Sequence, residues 1–238
     1  VAEGADAGGS AESEAKRRKN PRWLPLESNP DILNGFMGHV GVQPGANFAD
    51  LIGLDPELLQ FVAQPVLAVC LLFPSGPIRK PRLADLAEAV SSKGKPPAST
   101  FYLIQHKEFG NACGTIAAVH AIGNLARGGA LQLVPGSPIA NFLERVAART
   151  PSEVGYDLAD ATDLHEASEE AARSKRAQTR TPGRNDKVDG HFVVFVQVED
   201  RLVELDGCMG EPIDHGATSA VAFLQDTANI IRTEFMAR

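Results

Sequence analysis

Cys113 follows a polar turn, Phe109-Gly110-Asn111, and opens an apolar, alanine-rich run. That order puts a thiol on the first turn of a helix expected to reach about Ala126. Unpaired backbone N–H groups and the positive end of the helix dipole favour thiolate there, and thiolate is the reactive form. Attack on a carbonyl also needs an imidazole to hold and return a proton, and donors for the oxyanion. Gly190-His191-Phe192 opens an apolar strand, and Asp206-Gly207 closes the next one. If Glu199-Asp200 is the turn between them, residue 191 pairs near residue 208. Asp206 then lies about one pairing step from His191, close enough to orient the ring and stabilise imidazolium. Taken singly, these residues have plainer explanations: a small buried hydrophobe, a surface histidine, a turn aspartate. The hairpin register joins them into one Cys113–His191–Asp206 constellation. The oxyanion donors would be the backbone N–H of Cys113 and the side-chain amide of Gln105, which follows the apolar stretch Phe101–Ile104.

These groups need a scaffold. Val66–Phe73 is a continuous apolar run between prolines and reads as a central buried strand. His191–Val198 and Arg201–Leu205 read as a hairpin, and Phe101–Ile104 as a further strand. Short helices are expected over 31–39 and 56–59, where a cap residue precedes a proline. Longer ones are expected over 81–91, 138–149 and 219–237. Thr150-Pro151-Ser152-Glu153 carries a capping-box signature. From about Ala167 to Asp189 the chain turns polar and basic, and a structureless stretch of that length inside a domain is usually functional. The expected class is α/β of the α+β type: helices around a central, mostly antiparallel sheet.

At 238 residues and 43% hydrophobic content the chain can bury a full core. Residues 1–21 are small, polar and charged, and are expected to form a disordered extension before a single domain over 22–238. Lys16-Arg17-Arg18-Lys19 within it reads as a solvated linker or a nuclear-import signal. The net charge of −7 argues against a nucleic-acid binder and suits a basic protein partner. The longest apolar run, eight residues, is too short to span a bilayer. Three cysteines fit a reducing compartment, so the cytoplasm is expected, with the nucleus as a further location. Cysteine and histidine spacings match no zinc motif, and no phosphate-binding glycine loop is present. Neither a metal nor a cofactor is expected.

At these residues the chain resembles the ubiquitin carboxyl-terminal hydrolases, thiol peptidases of the papain-like group. The similarity runs through Trp23–Pro30, Asp55–Leu59, Pro65–Pro74, Asn111–Ile116 with His120–Ile122, Lys187–Phe192, Leu202–Gly207 and Pro212–Gly216. It covers about residues 22–237 and is strongest for the short members that act on small adducts. It implies a knotted papain-like domain that hydrolyses the bond after the C-terminal glycine of ubiquitin or a ubiquitin-like modifier, through a Cys113 thioester. It implies His191 as general acid/base, Asp206 as its orienter and a glutamine in the oxyanion hole. It also implies that residues 167–189 cross the active site and limit the leaving group. Pro25, Leu26, Glu27, the segment near Asp50, and Gly190 match places where the family meets ubiquitin. A monomer is expected, with neither nucleic acid nor membrane as partner.

Three departures stand out. The family's glutamine lies six residues before the cysteine, where this chain has Lys107; Gln105, two residues earlier, is expected to take the role. The loop before His191 is basic and longer. A short apolar strand after the last helix is implied, yet the sequence stops at Arg238, so a shortened chain is expected. The competing readings are a ubiquitin-binding module with weak or no catalysis, and an acyl transferase using the same residue order.

Overall fold

The computed structural model describes residues 22–79, 81–82 and 94–237. The extension proposed for residues 1–21 and most of the helix expected over 81–91 lie outside them. Within the described residues a four-stranded antiparallel sheet runs in the order β1 (Ala68–Pro74), β2 (Gly190–Val198), β3 (Arg201–Leu205), β4 (Ile213–Ala217). The β2–β3 hairpin has the expected register: Val198 faces Arg201, and Glu199 takes a left-handed φ of 54° in the turn.

β2 is buried on both faces, which explains why it reads as an unbroken apolar run. Phe192, Val194 and Val196, with Val203 and Leu205 of β3, pack on helix α3 (Cys113–Arg127). The alternate residues Val193 and Phe195, with Phe73, meet Phe223, Ile231 and Phe235 on the other face. Those last three belong to α7 (Phe223–Ile230) and a π-helical turn, Ile231–Met236, so the expected single C-terminal helix changes its winding midway.

The lead-in Trp23 donates its backbone N–H to the Phe109 carbonyl at 2.8 Å and is buried. Beyond it lie α1 (Pro30–Val40), capped by the Asn29 side chain, and the single turn α2 (Pro56–Leu59). After α3 come α4 (Pro138–Arg145), α5 (Pro151–Ala159) and α6 (Thr162–Ala172). The Thr150–Glu153 capping box at the start of α5 forms as expected. α4 ends four residues sooner than the expected Arg149.

Two expectations need correction. Phe101–Ile104 forms no strand. Side chains of α3 satisfy it instead: Asn124 accepts from the Phe101 N–H at 2.8 Å and donates to the Phe101 carbonyl at 2.9 Å. The Leu103 N–H donates to His120 Nε2 at 3.0 Å. This close approach needs Gly123, where a Cβ would stand 2.3 Å from the Phe101 ring. The polar stretch also begins later than residue 167. Ala167, Ser168, Ala171 and Ala172 are buried on α6, which packs against α1. The irregular segment is therefore 173–189.

Candidate active site

Cys113 is the first residue of α3 and is half-buried. Ala112 before it supplies no side-chain cap, so no side chain competes for the N–H groups of that first turn. Gly114 lets the lead-in and the sheet close on the sulfur: a Cβ there would lie 3.2 Å from both Leu26 and the Phe192 ring.

His191 sits near the start of β2, opposite Phe73, whose ring meets the imidazole edge-on at 5.6 Å. Its Nε2 lies 2.8 Å from Asp206 Oδ1. The Cys113 side chain is near enough to favour charge on the ring. With Nε2 committed to Asp206, Nδ1 is the nitrogen left for the sulfur. Burial disfavours charge on the ring, but the Asp206 bond and the Cys113 sulfur outweigh it and raise the His191 pKa to about 9. Burial likewise opposes charge on Asp206. His191, the Cys208 N–H and Arg79 overcome it and hold the carboxyl below its ordinary value.

Further groups fix Asp206. Its Oδ1 accepts the Cys208 N–H at 2.9 Å, and Arg79 stands 3.9 Å from Oδ2. The buried Tyr102 hydroxyl lies 2.5 Å from the Asp206 carbonyl oxygen and 2.8 Å from that of Met209, bracing the turn after β3. Sequence reasoning missed Arg79 and Tyr102. Neither sits in a motif, and their partners are about 100 residues or more away.

Gln105 is held at the same turn. Its N–H donates to the Gly207 carbonyl at 2.6 Å, and its side-chain nitrogen donates to the Gly110 carbonyl at 2.9 Å. One amide hydrogen is thereby used and one remains.

A cleft of about 500 Å³ opens over Cys113. Pro25, Leu26 and Glu27 line one side, and Leu72 and Gly190 another. Four of the five expected contact residues thus meet in one place. Asp50 does not line this cleft; it is exposed on the irregular stretch between α1 and α2. Its carboxylate lies far in sequence from the lead-in, and spacing alone could not place it.

Glu27 has a further role that sequence did not show. It clasps the 173–189 segment, accepting from the Gln178 and Thr179 N–H groups at 3.0 and 2.9 Å and from the Thr179 hydroxyl at 2.6 Å. These bonds, with one from Asn29, outweigh desolvation and lower its pKa to about 2. Arg184 adds a bidentate pair to Glu169 at 2.7 and 2.6 Å, and Asn111 reaches the Asp186 carbonyl at 3.1 Å. The segment is laced across the cleft from both sides.

Comparison with known proteins gives a consistent result. The family profile described as ubiquitin carboxyl-terminal hydrolase, family 1, matches residues 23–237. A ubiquitin carboxyl-terminal hydrolase of Aplysia californica is 37% identical over 217 residues, 91% of this chain and 96% of that protein. Ubiquitin carboxyl-terminal hydrolase 3 of Arabidopsis thaliana is 37% identical over 212 residues, 89% and 86% of the two chains. Isozyme L1 of Rattus norvegicus is 35% identical over 218 residues, 90% and 91%. Among solved structures, the catalytic domain of Trichinella spiralis UCH37 bound to ubiquitin vinyl methyl ester aligns with a TM-score of 0.71 at 17% identity, covering 94% of this chain and 92% of that one.

Proposed function

The chain belongs to family 1 of the ubiquitin carboxyl-terminal hydrolases, and from that premise we propose how its residues divide the work. It is a deubiquitinating thiol hydrolase. Its reaction is cleavage of the bond after the C-terminal glycine of ubiquitin. The Cys113 thiolate attacks the glycine carbonyl carbon. The oxyanion takes hydrogen bonds from the Cys113 N–H and the second amide hydrogen of Gln105. His191, charged and held by Asp206, gives its Nδ1 proton to the leaving amine, and the C–N bond breaks to leave a thioester. Water then yields a proton to His191 and attacks the thioester, releasing the ubiquitin carboxylate and the thiolate.

The observation that carries this reading is a thiol at an uncapped helix start beside an imidazole that a buried carboxylate orients. The clasped segment over the cleft supports small or unfolded leaving groups, which must pass beneath it. A monomer is taken as the working unit.

The test uses a fluorogenic ubiquitin C-terminal amide. Wild-type enzyme is expected to turn it over, and Cys113→Ala to bind ubiquitin without turnover. Undiminished turnover by Cys113→Ala would reject the assignment. A ubiquitin vinyl methyl ester probe is expected to label Cys113 covalently. Tight binding without labelling would instead favour a ubiquitin-binding module.

A further inference from the structure

Cys208 lies two residues past Asp206, on the turn that leads to β4, and its thiol has no part in the chemistry above. The residue is exposed at the rim of the site. Its sulfur, a ring nitrogen of His191 and a carboxylate oxygen of Asp206 all lie within 4.8 Å of one another. The backbone holds the sulfur in that corner: the Cys208 N–H bonds Asp206 Oδ1, and Arg79 donates to the Cys208 carbonyl at 3.3 Å.

Metal–ligand lengths of about 2.0–2.3 Å in a tetrahedral zinc site set the donor atoms roughly 3.3–3.6 Å apart. His191 Nε2 and Asp206 Oδ1 stand at 2.8 Å, and the sulfur is within 4.8 Å, so small shifts reach coordination distance. Sulfur, nitrogen and oxygen donors together suit a borderline-soft cation and disfavour magnesium or calcium. Two donors are buried and the third is at the surface, which gives an ion a way in.

We propose that Cys208, His191 and Asp206 form a binding site for a thiophilic divalent cation, with zinc as its representative, that reversibly silences the hydrolase. The silencing rests on His191 serving as the acid/base group. On binding, the Cys208 thiol and His191 Nε2 release their protons to solvent, and both lone pairs go to the metal. The ring then keeps one proton, on Nδ1, as a neutral ligand. Without a charged imidazolium, the leaving amine receives no proton and the thioester does not form. No electron changes hands, so a chelator restores activity. Sequence spacing could not reveal such a site, because its donors come from the start of β2 and the end of β3 and meet only through the hairpin register.

Two measurements test it. Turnover of the ubiquitin amide is followed against buffered free Zn²⁺ for the wild type and Cys208→Ala. Each enzyme is referred to its own metal-free turnover, and the variant is expected to need at least a tenfold higher Zn²⁺ concentration for inhibition. Co²⁺ is then added to Cys113→Ala. A thiolate-to-cobalt charge-transfer band in the near ultraviolet is expected, and it should vanish in Cys113→Ala/Cys208→Ala. Equal zinc sensitivity of wild type and Cys208→Ala, or a missing cobalt band, overturns the proposal. Wild-type enzyme that is inactive without metal yet shows the Cys208-dependent band would reject the hydrolase reading and retain the metal site.

Discussion

His191 shows how one residue's chemistry depends on its neighbours. An imidazole with a raised pKa of about 9 remains charged across neutral pH, in the form that donates to a leaving amine. Activity that needs imidazolium is therefore expected to fall as pH rises through about 9. The check is kcat/KM for the ubiquitin amide from pH 6 to 10, in chelator. Asp206→Asn removes the charge that sustains the imidazolium and presents an amide hydrogen to the ring. It is expected to move the alkaline limb to lower pH and cut kcat by about 10²–10⁴-fold. A limb that stays in place would mean that Cys113, not Asp206, sets the His191 charge. The three residues were legible because each sits at a boundary that sequence marks: a helix start, a strand start, a strand end before glycine. Cys208 was invisible as a participant, since its placement follows from the turn after β3 and no spacing rule encodes that turn.

At the scale of elements, periodicity and capping succeeded where partners are local. The Thr150–Glu153 box and the Glu199-Asp200 hairpin depend on residues a few positions apart. Phe101–Ile104 failed for the opposite reason. Its composition is that of a strand, but its partners are Asn124 and His120 on α3, and side chains took the place of a ladder. The segment over the cleft shows the same dependence on distant partners. One carboxylate, Glu27, receives three bonds from Gln178 and Thr179, about 150 residues away. Because the folded pKa of Glu27 is depressed to about 2, its clasp is present above the unfolded carboxylate value and is lost as pH falls toward 2. At neutral pH the clasp is therefore fully formed, and Glu27→Gln is the way to open it. The variant is expected to expose residues 175–187 to trypsin, raising cleavage there several-fold while the melting temperature stays within a few degrees. Unchanged cleavage would assign the hold on this segment to the Arg184–Glu169 pair.

For the whole molecule, the question is what fixes the sheet beneath the cleft. On the face away from α3, Glu204 is fully buried and bonds partners from two separate regions, which a third region joins. Arg82, in the helical segment after β1, bonds both its carboxylate oxygens at 2.8 and 2.5 Å. His215 of β4 lies 2.8 Å away, and Glu234 of the π-helical turn pairs with Arg82 at 3.0 Å. Burial lowers the His215 pKa, but bonds to Glu204 and Glu234 reverse the effect and keep it raised. Nothing in the sequence joins residues 82, 204, 215 and 234; the network exists because the chain ends up stacked on one side of β3. Losing one member of such a cluster costs more than that member's own net worth suggests, since the remaining buried charges are left out of balance. Glu204→Gln leaves Arg82 and His215 facing a neutral amide at a cost of about 3–5 kcal/mol. For a domain of this size that lowers the melting temperature by about 6–20 °C. The consequence extends beyond stability, because Glu204 and Asp206 share the end of β3 with one residue between them. If the network sets the register of that strand end, Glu204→Gln assayed well below its melt loses kcat with KM unchanged, and its alkaline limb shifts as for Asp206→Asn. That combined result is the expected one. A lowered melting temperature with wild-type kcat and pH profile would show that the network secures the back of the sheet and that Tyr102, Arg79 and the Cys208 N–H hold Asp206 in place without it.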